Sequence, residues 1–154
     1  MSPAAKGFVK ASLIYMVVGV LMGFSFTIGP IRSWIAQGPG RMLVGVHAHV
    51  NLVGFVSMMI FGVGYHILPR FSGHPLFSER LAFFHLWFAN IGILGMGLFF
   101  GLAALRGGLL FQAKAGTQVV EAAIAPFMIP ASFFAAILAA SFLLFGYNIL
   151  RTIK

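Results

Sequence analysis

Residues 41–71 read RMLVGVHAHVNLVGFVSMMIFGVGYHILPRF, an apolar run that is long enough to cross a bilayer. The run nevertheless contains three histidines, His47, His49 and His66. Placing imidazole in hydrocarbon is costly, and ionisable groups inside membrane spans are functional candidates by default. Because neutral imidazole is also a common metal ligand, the run predicts a haem or metal site within the membrane.

The rest of the chain has the same apolar character. Hydrophobic residues make up 60% of the 154 residues and charged residues only 8%, with a mean hydropathy of +1.02. Between the charged clusters lie four charge-free stretches, 11–31, 42–69, 81–105 and 122–150. Each reaches the roughly 20 residues that a spanning helix needs. We therefore predict an all-α integral membrane four-helix bundle, a single domain over 1–154 with helices at about 8–30, 42–69, 79–105 and 119–151.

The basic residues lie at the predicted helix ends, where they favour membrane lipid headgroups as partners and do not indicate nucleic acid. Six of them fall on one side of the membrane, namely Lys6, Lys10, Arg70, Arg80, Arg151 and Lys154. Four fall on the other, namely Arg32, Arg41, Arg106 and Lys114. This bias predicts that both termini are cytoplasmic. The first apolar stretch is long for a signal peptide and has no A-x-A-like cleavage site, so we expect a retained helix and a bacterial inner-membrane protein.

The absence of cysteine limits the cofactors that the chain can hold. It excludes thiolate ligands, iron–sulfur clusters and the covalent C-x-x-C-H attachment of c-type haem. Any haem is therefore expected to be haem b, held non-covalently.

Helical periodicity places His47 and His49 on nearly opposite sides of the second helix. The side of His47 carries small, polar and aromatic residues, namely Asn51, Gly54, Met58, Phe61, Gly62 and Tyr65. The side of His49 is aliphatic, with Val53, Val56, Ile60 and Ile67. A flat macrocycle fits best where small residues leave room, so the periodicity favours His47 as the iron ligand. His49 stays a candidate because it can face a partner chain.

Depth in the membrane separates the remaining histidines. His66 lies 17 residues below His49, about 25 Å along the helix axis, so the two cannot share one metal. His85 begins the third helix at the depth of His66, so a bis-histidine haem between them is geometrically possible within one chain. An outer haem on His47 or His49 would need a second ligand from another copy, another subunit or a methionine, or an open position. His74 lies in a loop beside Pro75, where a solvated histidine is expected.

The second helix also carries a recognisable pattern, from Arg41 through His47-Ala48-His49-Val50-Asn51 to Phe61-Gly62-Val63-Gly64-Tyr65-His66 and Pro69-Arg70. It resembles the second helix of subunit I of haem-copper oxidases, in particular C-type cytochrome oxidases and nitric oxide reductases. Phe84–Phe88 and Asn90-Ile91-Gly92 resemble the start of the family's next helix more weakly, so the likeness covers about residues 10–105. In that family a His-x-Asn histidine is an axial ligand of the low-spin haem b, which implies His49 in place of the His47 that periodicity favours.

The later helices of that subunit, which supply the copper ligands and the high-spin haem ligand, have no counterpart in this sequence. The resemblance therefore implies a short haem b-binding relative, and we expect neither copper nor oxygen or nitric oxide reduction by this chain alone. We assign no catalytic residue. Glu79 and Glu121 are interpreted as acids at helix N-termini, although either could accept a proton at a quinol site.

Four functions remain open. The first is a cytochrome b-like electron-transfer module, a homodimer or higher homo-oligomer exchanging electrons with quinol or a redox partner subunit. The second is a gas-responsive haem protein with an open iron position. The third is a copper or zinc handler that uses His47 and His49 with the sulfur atoms of Met22, Met58, Met59 and Met96; the spread of these methionines argues against it. The fourth is an accessory subunit of a larger oxidase.

Overall fold

The computed structural model describes all 154 residues as helices joined by short connections, without a β-strand. Four helices are long and apolar enough to cross a membrane. A fifth, short helix lies between the first two of them. In chain order they are α1 (Pro3–Ser25), α2 (Gly29–Ile35), α3 (Gly38–Ser72), α4 (Glu79–Gln112) and α5 (Thr117–Thr152). The all-α four-helix prediction is confirmed.

Helices α1 and α3 pack antiparallel, with glycines at the points of closest approach. A Cβ at Gly19 would collide with the side-chain amide of Asn51, and one at Gly54 would lie 2.6 Å from the ring of Tyr15. A Cβ at Gly62 would lie 3.0 Å from the backbone oxygen of Ala5. Small residues let helix backbones approach closely in membranes, and here they fix the register of α1 against α3.

Helices α4 and α5 form a long antiparallel hairpin, and α1 lies beside α4. At Gly92 a Cβ would lie 2.8 Å from the Cα of Leu138, so α5 passes almost backbone to backbone. Tyr15 of α1 donates from its hydroxyl to Asn90 Oδ1 of α4 at 3.1 Å. Most core residues therefore come from α1, α3 and α4, and α5 closes the bundle on one side.

The termini and residues 73–78 lie together at one end of the bundle, which we call the termini side. Asn148 of α5 is fully buried there and bonds both backbone groups of Ser78, accepting from its N–H at 3.0 Å and donating to its carbonyl at 2.8 Å. The Thr152 hydroxyl accepts from the N–H of Phe77 at 3.0 Å. These bonds tie the α3–α4 connection to the end of α5.

Helix α1 begins five residues before the predicted position 8 and ends at Ser25, five residues before position 30. The Ser2 hydroxyl accepts from the N–H of Ala5 at 3.3 Å, and Pro3 occupies the first turn, a favoured helix start. Lys6 and Lys10 are exposed within the helix, so charge did not mark its boundary.

The largest difference lies between the last two spanning helices, where the predicted bounds of 105 and 119 leave residues 106–118 as a connection. Helix α4 continues to Gln112 and α5 begins at Thr117, so only four residues connect them. Gly107 and Gly108 fall in that predicted connection, but they lie within α4 and serve helix packing. A Cβ at Gly107 would lie 2.6 Å from Ile124, and one at Gly108 would collide with the indole of Trp34. We call this end of the bundle, with residues 26–41, the opposite side.

Candidate functional site

Helix α3, which carries three of the five histidines, is not a regular α-helix. It starts as a 3₁₀ turn (Gly38–Arg41), continues as α-helix (Met42–His49), and widens into a π-helix (Val50–Ser57) before α-helix resumes (Met58–Ser72). The Ser12 hydroxyl of α1 donates to the carbonyl of Phe55 at 3.0 Å within the π segment. π-Helical turns are rare in proteins, and those that occur are often found at functional sites. The segment begins directly after His49.

His47 is half-buried beneath α1. Asn51 Nδ2 donates to the His47 carbonyl at 2.9 Å and lies 3.1 Å from its ring Nδ1. On the α1 side a Cβ at Gly23 would lie 3.1 Å from His47 Cε1, and the ring of Phe26 meets the imidazole edge to face at 5.4 Å. The small residues on this face therefore accommodate α1. Helix α1 occupies the space in which helical periodicity predicted a haem macrocycle.

His49, in contrast, is exposed on the outer surface of the bundle. Its Nδ1 lies 2.8 Å from the carbonyl oxygen of Gly45, one turn earlier. This bond favours the tautomer in which Nδ1 carries the proton, and it leaves Nε2 with a lone pair for a ligand. His49 is thus the histidine of the pair that combines an oriented ring with open space.

One open cavity adjoins His49, a second lies toward the opposite side of the bundle, and Gly45 lines both. The first, about 210 Å³, lies between α3 and α4 and is lined by Met42, Gly45, Val46, His49 and Phe100. The second, about 520 Å³, lies between α2 and α3 and is lined by Arg32, Ile35, Ala36, Arg41, Val44 and Gly45. A Cβ at Gly45 would find no neighbouring atom within 4 Å.

His85 is completely enclosed. Its Nδ1 lies 3.0 Å from the hydroxyl of Tyr65, and its Nε2 has no hydrogen-bond partner. The rings of Phe8, Phe61 and Phe145 surround it, with centroids 4.5, 4.6 and 5.6 Å away. A macrocycle could reach this nitrogen only if the aromatic side chains separated.

His66 lies elsewhere, at the mouth of a cavity of about 440 Å³ on the termini side. The Arg70 guanidinium lies 2.7 Å from its Nδ1 and also bonds its backbone carbonyl. The structure does not bring His66 and His85 into contact, because the residues of α3 that meet His85 are Phe61 and Tyr65. His74 is exposed in the connection at the edge of the same cavity.

The predicted site residues therefore divide into separate groups. Gly54, Met58 and Tyr65 lie buried in the helix interface with α1 and α4, and Asn51 supports His47. No three side chains of His, Asp or Glu come together as a metal-binding cluster. The π segment and the open surface at Gly45 were not predicted; an aliphatic stretch gives no signal for a π turn. No model of a known protein family matches the chain.

Proposed function

We propose that the protein is a haem b-binding membrane protein, a cytochrome b-like electron-transfer module, with His49 as an axial ligand of the haem iron. The observation that carries the proposal is the exposed His49 ring, oriented by Gly45 and bordered by an open apolar cavity. The sequence resemblance implies the same histidine from the His-x-Asn pattern. His47, which periodicity favoured, has its ring between Asn51 and α1.

The residues around His49 fit the requirements of a haem ligand. Metal-binding histidines almost always donate their second ring N–H to a carboxylate, a backbone carbonyl or water, which fixes the ring and raises its basicity. The Gly45 carbonyl has this position relative to Nδ1 of His49. Gly45 also leaves the surface beside the ring flat, because a Cβ there would project into open space. Val46 and Phe100 supply apolar walls.

Haem, when bound, would supply reversible one-electron storage, and its potential would depend on axial ligation, burial and hydrogen bonds from the chain. His49 would hold the iron, and the Gly45 carbonyl would hold the imidazole in one tautomer. We propose that a second copy supplies the sixth ligand through its own exposed histidine. A symmetric dimer is the commonest closed assembly and would cover both polar rings. Quinol or a redox subunit would be the electron partner.

We also propose an orientation in a bacterial inner membrane with the termini side in the cytoplasm. The termini side carries six of the ten basic residues, and an excess of Lys and Arg marks cytoplasmic connections. His49 would then lie in the outer half of the membrane, away from the cytoplasm.

The test is purification of the chain from haem-replete cells, followed by reduced-minus-oxidised spectra and haem per chain. We expect b-type bands, and we expect His49→Ala to remove most of the haem. The matched controls are His47→Ala, which should retain more haem than His49→Ala, and His74→Ala, which should equal wild type because that residue is exposed in a loop. A colourless wild-type protein contradicts the proposal, as does equal haem in His49→Ala and His74→Ala.

A second candidate is a gas-responsive haem protein. It is favoured by one observation: each chain offers a single exposed imidazole on this face, so an isolated protomer would leave one iron position open. Carbon monoxide separates the two functions. Unchanged bands after its addition support six-coordinate electron-transfer haem, whereas a large spectral shift supports gas binding.

A further inference from the structure

The cavity between α2 and α3 is lined by two arginines, Arg32 and Arg41, that come from different helices. Arg32 lies in the last turn of the short helix α2, and Arg41 ends the 3₁₀ turn that opens α3. Both line the cavity of about 520 Å³, and the other lining residues are apolar or glycine. Two guanidinium groups beside an apolar cleft are suited to an anion attached to an apolar body, because guanidinium forms paired hydrogen bonds with carboxylate or phosphate.

The position of α2 is fixed by Trp34, so the proximity of the two arginines is built into the fold. The carbonyl of Trp34 packs so closely on Gly40 that a Cβ there would collide with it. The indole of Trp34 packs in the same way on Gly108 of α4. Arg32 is therefore held against the start of α3 by backbone-level contacts.

The charge balance of the chain favours a counter-ion for these arginines from outside the chain. The sequence has ten basic residues and only two acidic ones. Both arginines are exposed, and no acidic side chain lines the cleft with them. The charge of the cleft therefore favours an anionic ligand.

The cleft adjoins the site proposed for haem, because Gly45 lines both cavities. Arg41, Gly45 and His49 recur every four residues and so share one face of α3. Arg41 and His49 are eight residues apart, about 12 Å along the helix axis. The bare surface at Gly45 joins the histidine to the arginine pair without an obstructing side chain.

Resting on the proposed function, we infer that Arg32 and Arg41 bind the two carboxylates of the haem, and that the arginine pair directs the carboxylate edge of the ring toward the opposite side of the bundle. The arginines are positioning residues, because they would hold the macrocycle without touching the iron. Phosphate headgroups of anionic lipids share this chemistry, and the experiment distinguishes them from haem.

The experiment compares haem with the dimethyl ester of haem, which keeps the iron but has both carboxylates blocked as methyl esters. Apoprotein from haem-deficient cells is titrated with each ligand in detergent, using wild type, Arg32→Gln, Arg41→Gln and the double variant. Arg106→Gln is the matched control. Arg106 is an exposed arginine of α4 near the opposite side of the bundle, and it lines neither cavity. Binding and the rate of haem transfer to an acceptor protein are followed by absorbance. The midpoint potential is measured as well.

We expect each arginine substitution to weaken haem binding about tenfold, the size typical of a charge-assisted hydrogen bond. The dimethyl ester should bind wild type more weakly than haem does, and its affinity should not change further in the arginine variants. Removing a cation should also lower the midpoint potential, because the oxidised haem carries one more positive charge and is then no longer repelled by the guanidinium. Arg106→Gln should match wild type in every measurement.

Equal binding of haem by all variants, with equal binding of the ester by wild type, overturns the inference and leaves His49 as ligand intact. If wild type binds neither ligand, the proposed function itself fails. If the double variant binds haem normally but loses co-purified anionic lipid in native mass spectrometry, the cleft holds lipid phosphate and the inference is wrong.

Discussion

The enclosed pair of Tyr65 and His85 allows a prediction that separates a structural histidine from a haem ligand. Tyr65→Phe removes one hydroxyl and leaves the shape of the ring. It therefore takes away the only hydrogen-bond partner of His85, whose second ring nitrogen already has none. Because His85 is completely buried, no other group replaces the lost bond.

The expected cost follows from this burial. A net hydrogen bond is worth about 1 kcal/mol, and orphaning a buried polar group costs about 1–3 kcal/mol in soluble proteins. Side-chain hydrogen bonds in membrane proteins average about 0.6 kcal/mol and reach about 1.7 kcal/mol. Since both nitrogens of His85 would be unpaired, we expect Tyr65→Phe to lower the free energy of unfolding by about 1.5 kcal/mol, roughly tenfold in the equilibrium constant.

The assay is reversible unfolding by titration with SDS in mixed micelles, carried out on a double-mutant cycle. In a His85→Leu background, Tyr65→Phe should cost less than about 0.5 kcal/mol, because both partners are then apolar. Tyr147→Phe is the matched control on an exposed tyrosine. The same cost for Tyr65→Phe in both backgrounds would refute the reasoning. Haem content should not change with Tyr65→Phe; a loss of haem would instead support the interpretation of His85 as a ligand.

The remaining predictions concern packing and orientation. Gly92→Ala should lower the free energy of unfolding in SDS by about 1–3 kcal/mol, because its Cβ would force α4 from α5. Gly101→Ala, in open space, should have little effect, and equal losses would contradict the packing argument. Asn148→Ala should free the α3–α4 connection and speed its proteolysis at least several-fold, since two backbone bonds are lost; unchanged cleavage would contradict this. In this cysteine-free chain, Gly116→Cys should react with an impermeant maleimide on intact cells and His74→Cys only after lysis; the reverse pattern would invert the proposed orientation.

The fold was predictable because the bilayer imposes simple rules on length and polarity. Charge-free stretches identified all four spanning helices, since unpaired charge is costly within a bilayer. The same rule misplaced the helix ends. Lys6 lies inside α1, because a long basic side chain can extend toward the interface from within a helix. Gly107 and Gly108 lie beyond the predicted end of the third spanning helix, yet they are packing positions in α4.

The site was predictable in part. Helical periodicity correctly grouped His47 with the small residues of α3, including Gly54 and Gly62. It could not show what fills the space beside them, because a small residue leaves room equally for a neighbouring helix and for a cofactor. The structure gives that space to α1, with Gly19 and Gly23 meeting this face. Tertiary partners of a helix face are non-local information that one sequence does not supply.

The most direct measurement is rescue of a deleted ligand by free imidazole. His49→Gly would remove the proposed axial ligand and leave a gap beside Gly45 on an exposed surface. We predict that the His49→Gly protein binds little haem alone and regains reduced b-type bands when millimolar imidazole is added, whereas His47→Gly shows no such dependence. Haem binding by His49→Gly at the wild-type level without imidazole would contradict the assignment of His49 as the iron ligand.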